Sequence, residues 1–210
     1  MGETELMQLI KKIAGPYLAV LESQTSIPIA FWAALTANES ARDLARGIPP
    51  EKIQRREPSA ISRLCLLAAG FKPKQSLTTA DLIAELGELG EARRRTDYHV
   101  EQIPTDVSLL ADLPLRLFID YGSSWSFVQV MGYHALGWRG LTLHEIQQPA
   151  THYSCAARLM AEFCQRYGLD PRREFEQMAR CWNTGRPDGV TFDPAYVENL
   201  LRRATVWRTI

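Results

Sequence analysis

Long apolar runs are missing from this chain. Nowhere do 18 apolar residues follow one another, so the sequence offers no membrane-spanning helix. The opening MGETELMQLIKK has no basic stretch leading into an apolar segment, and the expectation is synthesis in the cytoplasm without a secretory signal. Cysteine is sparse and scattered: Cys65, Cys155, Cys164 and Cys181 show no C-x-x-C spacing. His99, His134, His144 and His152 form neither an H-E-x-x-H pattern nor a mixed Cys/His cluster. A zinc site is therefore not expected, and the cysteines read as free, partly buried thiols in a reducing compartment. An excess of one charge is lacking too, since 24 basic residues balance 24 acidic ones. That balance supplies no electrostatic drive toward nucleic acid or an anionic membrane. Internal repeats, low-complexity tracts and alternating strand patterns of useful length are also absent.

What is present is helical periodicity. The chain has 210 residues, 46% of them apolar, enough for one domain to bury a core without metals or disulfides. Residues 4–14 put Leu6, Leu9, Ile10 and Ile13 on one face, and Gly15-Pro16 is expected to end that helix. A second helix is expected from Pro28 to about Arg42, rich in alanine. Others are expected over 58–69, from Thr78 or Thr79 through Leu89, over 123–135 after a serine-rich cap, over 152–167, over 172–182 and after Asp193-Pro194. The charged run 91–108 reads as a solvated loop with room for a short two-stranded ribbon. The expected fold is mainly α: a single domain over 1–210, with 1–27 as a helical extension packed on it.

Glu39 stands out. On the second helix it lies over Leu35 at i−4 and Trp32 at i−7, so it shares the apolar face. Partial desolvation, together with a place near the helix C-terminus, is expected to raise its pKa. A general acid that works near neutral pH needs such a shift.

The segment FWAALTANES, Phe31 to Ser40, resembles the apolar helix ending in Glu-Ser that carries the catalytic acid in the lytic transglycosylase and goose-type lysozyme group. Ser124 to Met131, SWSFVQVM, resembles that group's Gly-Leu-Met-Gln-like run, which begins a helix beside the cleft. Gln129 and Met131 are retained, Ser126 stands where glycine is usual, and Val128 where methionine is common. Ala179 to Gly185, ARCWNTG, is similar to an Ala-x-Tyr-Asn-x-Gly-like run, with Trp182 for tyrosine and with Asn183 and Gly185 retained. Tyr196-Val197 matches a Tyr-Val pair that opens the last helix. RREPSAISRL resembles an Arg-aromatic-Glu-Pro segment of phage-type members, with Arg56 in the aromatic position.

The resemblance implies a lysozyme-like domain that cuts the β-1,4 bond between N-acetylmuramic acid and N-acetylglucosamine in peptidoglycan, with no cofactor. Glu39 would protonate the bridging oxygen. In a transglycosylase it then acts as base on the sugar's own C6 hydroxyl and closes a 1,6-anhydro ring. In an inverting hydrolase a second carboxylate, about 6.5–9.5 Å away, activates water. Glu57 is the best second carboxylate, ahead of Asp97 and Asp120; its other reading is a loop glutamate paired with Arg55 or Arg56. Substrate contacts are expected from Ser40, Gln129, Trp182, Asn183 and Tyr196, while Trp125 and Tyr133 divide evenly between cleft and core. The expected partner is the glycan strand, met by a monomer that neither inserts into membrane nor binds nucleic acid. A phage or prophage lysis enzyme fits such a chain. Two other readings compete. One is a non-catalytic wall-binding or virion structural protein of the same fold. The other is a helical nucleic-acid-binding module resting on Arg93, Arg94, Arg95, Arg202, Arg203 and Arg208.

Overall fold

The computed structural model describes residues 1–22, 24–57, 60, 119–135 and 141–210. The helices expected over 58–69 (apart from Ala60) and through Leu89, the run 91–108, Cys65, Asp97 and the arginines at 93–95 lie outside the described residues. In chain order the elements are α1 (Glu3–Glu22), α2 (Ile29–Ala45), β1 (Gln54–Arg56), β2 (Ser123–Trp125), β3 (Val130–Met131), α3 (Leu143–Gln147), α4 (Pro149–Tyr167), α5 (Phe175–Thr184) and α6 (Tyr196–Trp207). The protein is mainly α, with a small three-stranded antiparallel sheet. Its contacts group into two compact units. The first comprises Met1–Ile53, Ser126–Gln129 and Gln147–Ile210, and the second Gln54–Trp125 and Val130–Ile146.

The first unit is built around α2. Every residue from Ala30 to Ala37 is buried, the mark of a helix with neighbours on all sides rather than one apolar stripe. Its alanines let α1 and α6 approach closely, and these are the helices it packs against most extensively. The core beside it is aromatic. Trp32 meets Phe31, Tyr153 and Trp182 edge to face, at centroid distances of 5.3, 6.4 and 6.1 Å. Phe127 stacks on Tyr153 at 5.0 Å.

Helix α1 runs straight through the Gly15-Pro16 pair that was expected to end it. Pro16 is exposed, so its ring displaces no core contact, while Leu18 and Leu21 beyond it are buried in line with Leu6, Met7, Ile10 and Ala14. Burying each leucine is worth about 1.5–3 kcal/mol, which together matches or exceeds the roughly 3 kcal/mol that a mid-helix proline costs. Helix α2 runs about one turn beyond the expected end near Arg42, to Ala45, its last turn held by buried Leu44.

Residues 123–135 correct the expectation more deeply. In place of a helix they form β2, a tight turn, β3 and a 3-10 turn over Gly132–Ala135. Ser126 and Gln129 have φ of 61° and 59°, left-handed values that a right-handed helix excludes. Phe127 and Val128 between them are fully buried, so core packing overrides the local periodicity.

In the second unit the strand order is β1-β2-β3. Gln54 faces Trp125 and Arg56 faces Ser123 in one pair, and Ser124 faces Met131 in the other. The chain entering β2 is anchored locally. Ser123 Oγ donates to the Ile119 carbonyl at 2.6 Å, and Trp125 Nε1 to the Asp120 carbonyl at 2.9 Å. Gly132 lies so close to the Asp120 carbonyl that a Cβ would clash with it.

Candidate functional site

Glu39 is half-buried, one turn above Leu35, with Leu35 and Trp32 fully buried on the same face. The Tyr196 hydroxyl, on the first residue of α6, donates to Glu39 Oε1. The neighbouring residue on α2, Asn38, donates through Nδ2 to the Tyr196 carbonyl at 2.8 Å. Because α2 continues for six residues after Glu39, the carboxylate stands outside the last turn, where the helix macrodipole acts. Glu39 is therefore not at the helix end expected for it, and only its partial burial on the apolar face remains to raise its pKa.

The turn at 126–129 is held by side chains from three helices. Ser40 Oγ donates to the Phe127 carbonyl at 2.7 Å. Trp182 Nε1 donates to the Val128 carbonyl at 2.9 Å. The Val128 N–H donates to His152 Nε2 at 3.1 Å, which requires the ring to be neutral with that nitrogen unprotonated. In this way backbone groups that a helix would satisfy internally are satisfied from outside. Deeper in, Thr36 Oγ1 donates to the Trp32 carbonyl at 2.8 Å and so accepts from the Tyr153 hydroxyl at 2.6 Å.

Comparison with protein-family models, curated proteins and solved structures finds no match to this chain. Its own geometry is what sorts the expected site residues. Glu39, Ser40, Gln129, Trp182, Asn183 and Tyr196 all belong to the first unit. Of those expected on substrate, Ser40, Gln129 and Tyr196 are buried. The Gln129 amide donates back to the Ser126 carbonyl at 2.6 Å, which closes the turn. Trp182 is half-buried, with its N–H engaged at Val128. Asn183 is exposed and accepts from the Phe192 N–H at 3.4 Å. Gly185 caps α5 at φ 81°. Trp125 and Tyr133 are both buried.

Glu57 belongs to the second unit, directly after β1. Burial pushes its carboxyl above the usual range, partly offset by a hydrogen bond from Ser124 Oγ at 3.2 Å and by the Arg55 charge. Asp120, also in that unit, accepts from Gln54 Nε2 at 3.3 Å. Among the described residues no cluster of His, Cys, Asp or Glu could hold a metal ion, and no helix is long and apolar enough to cross a membrane. Cys155, Cys164 and Cys181 are buried and in no disulfide, and burial pushes the Cys181 thiol up to about 12. A cavity of about 460 Å³ opens between the end of α1 and α4, lined by Leu21, Ile27, Ala157, Arg158, Cys164 and Pro171 among others. Glu39 is not among its walls.

Asn38 and His152 were missed from the sequence. Asn38 is a lone amide in an alanine-rich stretch, a weak signal; its partners lie 158 and 165 positions away.

Proposed function

We propose that this chain cuts the β-1,4 bond between N-acetylmuramic acid and N-acetylglucosamine in bacterial peptidoglycan, with Glu39 as general acid, in a lysozyme-like domain of the lytic transglycosylase type. One observation carries this reading: the separate segments that resemble the family meet around α2. Glu39-Ser40, the turn at 126–129, Trp182 and Tyr196 are far apart in sequence, yet they are joined by direct hydrogen bonds within one unit. A second point supports it. Ser126, which stands where the family has glycine, has the left-handed backbone that glycine adopts without strain.

Glu39 acts by protonating the glycosidic oxygen as the bond breaks toward an oxocarbenium-like centre. Its half-buried carboxyl is aimed by Tyr196, whose hydroxyl can donate to the charged form or accept from the protonated one. Once deprotonated, Glu39 can take the proton of the sugar's C6 hydroxyl. That route needs no second carboxylate.

A non-catalytic wall-binding or virion structural protein is the second reading. It is favoured by the burial of Ser40, Gln129 and Tyr196, whose polar groups are engaged inside the protein. Of the arginines behind the nucleic-acid reading, Arg203 is largely covered and paired with Glu3.

The test is digestion of purified peptidoglycan with wild type and Glu39→Gln, followed by mass spectrometry of the soluble muropeptides. Wild type should release them, and Glu39→Gln should lose at least about 100-fold in rate, the scale of a positioned general acid. Products lighter by one water identify a transglycosylase. Ordinary reducing ends identify a muramidase and make Glu57→Gln the next variant. Undiminished release by Glu39→Gln would sink the assignment of Glu39, and no release by wild type would favour the binding reading.

A further inference from the structure

We propose that Asn38, Arg203 and Glu3 hold the Tyr196 hydroxyl on the Glu39 carboxylate, so that the start of α1 takes part in presenting the candidate acid. The catalytic consequence rests on the reading of Glu39 given above; the chain of hydrogen bonds does not. Tyr196 is gripped at both ends by consecutive residues of α2. Asn38 Nδ2 holds its carbonyl at 2.8 Å, and Glu39 Oε1 accepts its hydroxyl proton. The bond to the carbonyl fixes the backbone from which the Tyr196 ring extends.

The Asn38 amide has its orientation set from the other side. Arg203 Nη1 donates to Asn38 Oδ1 at 2.6 Å, which turns Nδ2 toward Tyr196. Arg203 follows Tyr196 by seven residues, two turns along the same face of α6. Its side chain is only 15% exposed, so its charge needs a partner. Glu3 supplies it, accepting from Arg203 Nε at 3.2 Å and from Arg202 Nη2 at 2.9 Å. The order is thus Glu3 on α1, Arg203 on α6, Asn38 on α2, then Tyr196 and Glu39. Asn38, Arg203 and Glu3 are positioning residues, acting through Tyr196.

The experiment reads Glu39 directly. In protein labelled with 13C at the glutamate carboxyls, the Glu39 signal is identified by its loss in Glu39→Gln. It is then titrated in wild type, Tyr196→Phe, Arg203→Met and Glu3→Gln. Arg186→Met serves as control, because its exposed pair with Asp188 involves none of these residues. Removing a donor from a carboxylate disfavours its charged form, so Tyr196→Phe should move the midpoint upward. Arg203→Met and Glu3→Gln should move it the same way by part of that amount, and Arg186→Met should not move it. If Arg203→Met fails to fold, Arg203→Lys replaces it; a lysine keeps the charge but cannot span both partners with a planar fork, so the midpoint should still rise. Folded Arg203 and Glu3 variants with an unmoved midpoint overturn the proposal, and so does an unmoved midpoint in Tyr196→Phe. In the peptidoglycan digest the same variants should lower kcat several-fold with little change in KM. A wild type that releases no muropeptides while the coupled titration persists would remove Glu39's role as an acid and leave this chain of contacts standing. Full activity with an uncoupled titration would do the reverse.

Discussion

Ser126 has a left-handed backbone and a buried hydroxyl with no hydrogen-bond partner among the described residues. Both features cost stability: roughly 1–2 kcal/mol for the backbone and about 1–3 kcal/mol for the orphaned hydroxyl. Glycine relieves both and loses some unfolded-state entropy in return. Ser126→Gly should therefore stabilise the protein by about 1 kcal/mol, read as a higher urea midpoint at unchanged slope; a lower midpoint would mean that the hydroxyl has a partner in solution. Glu39 shows what single residues disclose. Its place over Leu35 and Trp32 was legible, because helical spacing alone puts those side chains together. That Tyr196 would reach it from 157 positions away was not. A hydrogen bond between distant residues leaves no local pattern.

Helices were the most legible elements. The stripes expected over 152–167 and 172–182 became α4 and α5 with small shifts of their ends, because amphipathic periodicity and burial agree there. Two elements that depart from expectation, α1 and the hairpin of β2 and β3, share a cause: a local signal outweighed by tertiary burial. Proline is a true local penalty, and α1 tolerates it because Leu18 and Leu21 are buried beyond it. Pro16→Ala restores the missing N–H and removes the ring clash at an exposed position. It should stabilise the protein by about 2 kcal/mol, measured by denaturant unfolding, and an unchanged or lowered stability would show that the helix is already relaxed around the ring. Over 123–135 the spacing of Phe127, Val128, Val130 and Met131 by itself predicts a helix. Ser40 and Trp182 donate to the turn's carbonyls and the Val128 N–H donates to His152, so both carbonyls and the Val128 N–H between the two left-handed residues are paired without a helix.

At the scale of the whole molecule, the ends of the chain are tied together by charge. Burial raises the Glu3 carboxyl, but hydrogen bonds and charge from Arg202 and Arg203 outweigh it and hold the group below the usual range. A carboxylate with a lowered folded pKa binds fewer protons when folded, so its contribution is fully present above the unfolded value. That contribution is lost as pH falls through the folded value. Glu3→Gln should therefore lower Tm at pH 7, by an amount equivalent to about 1 kcal/mol or less for a pair this close to solvent. The gap from wild type should close below about pH 4, as followed by calorimetry; a gap that stays constant down to pH 2 would contradict the linkage. From the sequence alone came the mainly helical class, the scattered spacing of the cysteines and the place of Glu39 over Leu35 and Trp32. Each depends on composition or on neighbours within two turns of a helix. Only the tertiary structure decided that 126–129 is a turn, that Ser40, Gln129 and Tyr196 are internal, and that Asn38, Arg203 and Glu3 stand behind the candidate acid. Those outcomes depend on which distant backbone and side-chain groups are buried against one another, and hydrogen bonds across 87 to 200 positions follow from packing rather than from any spacing in the chain.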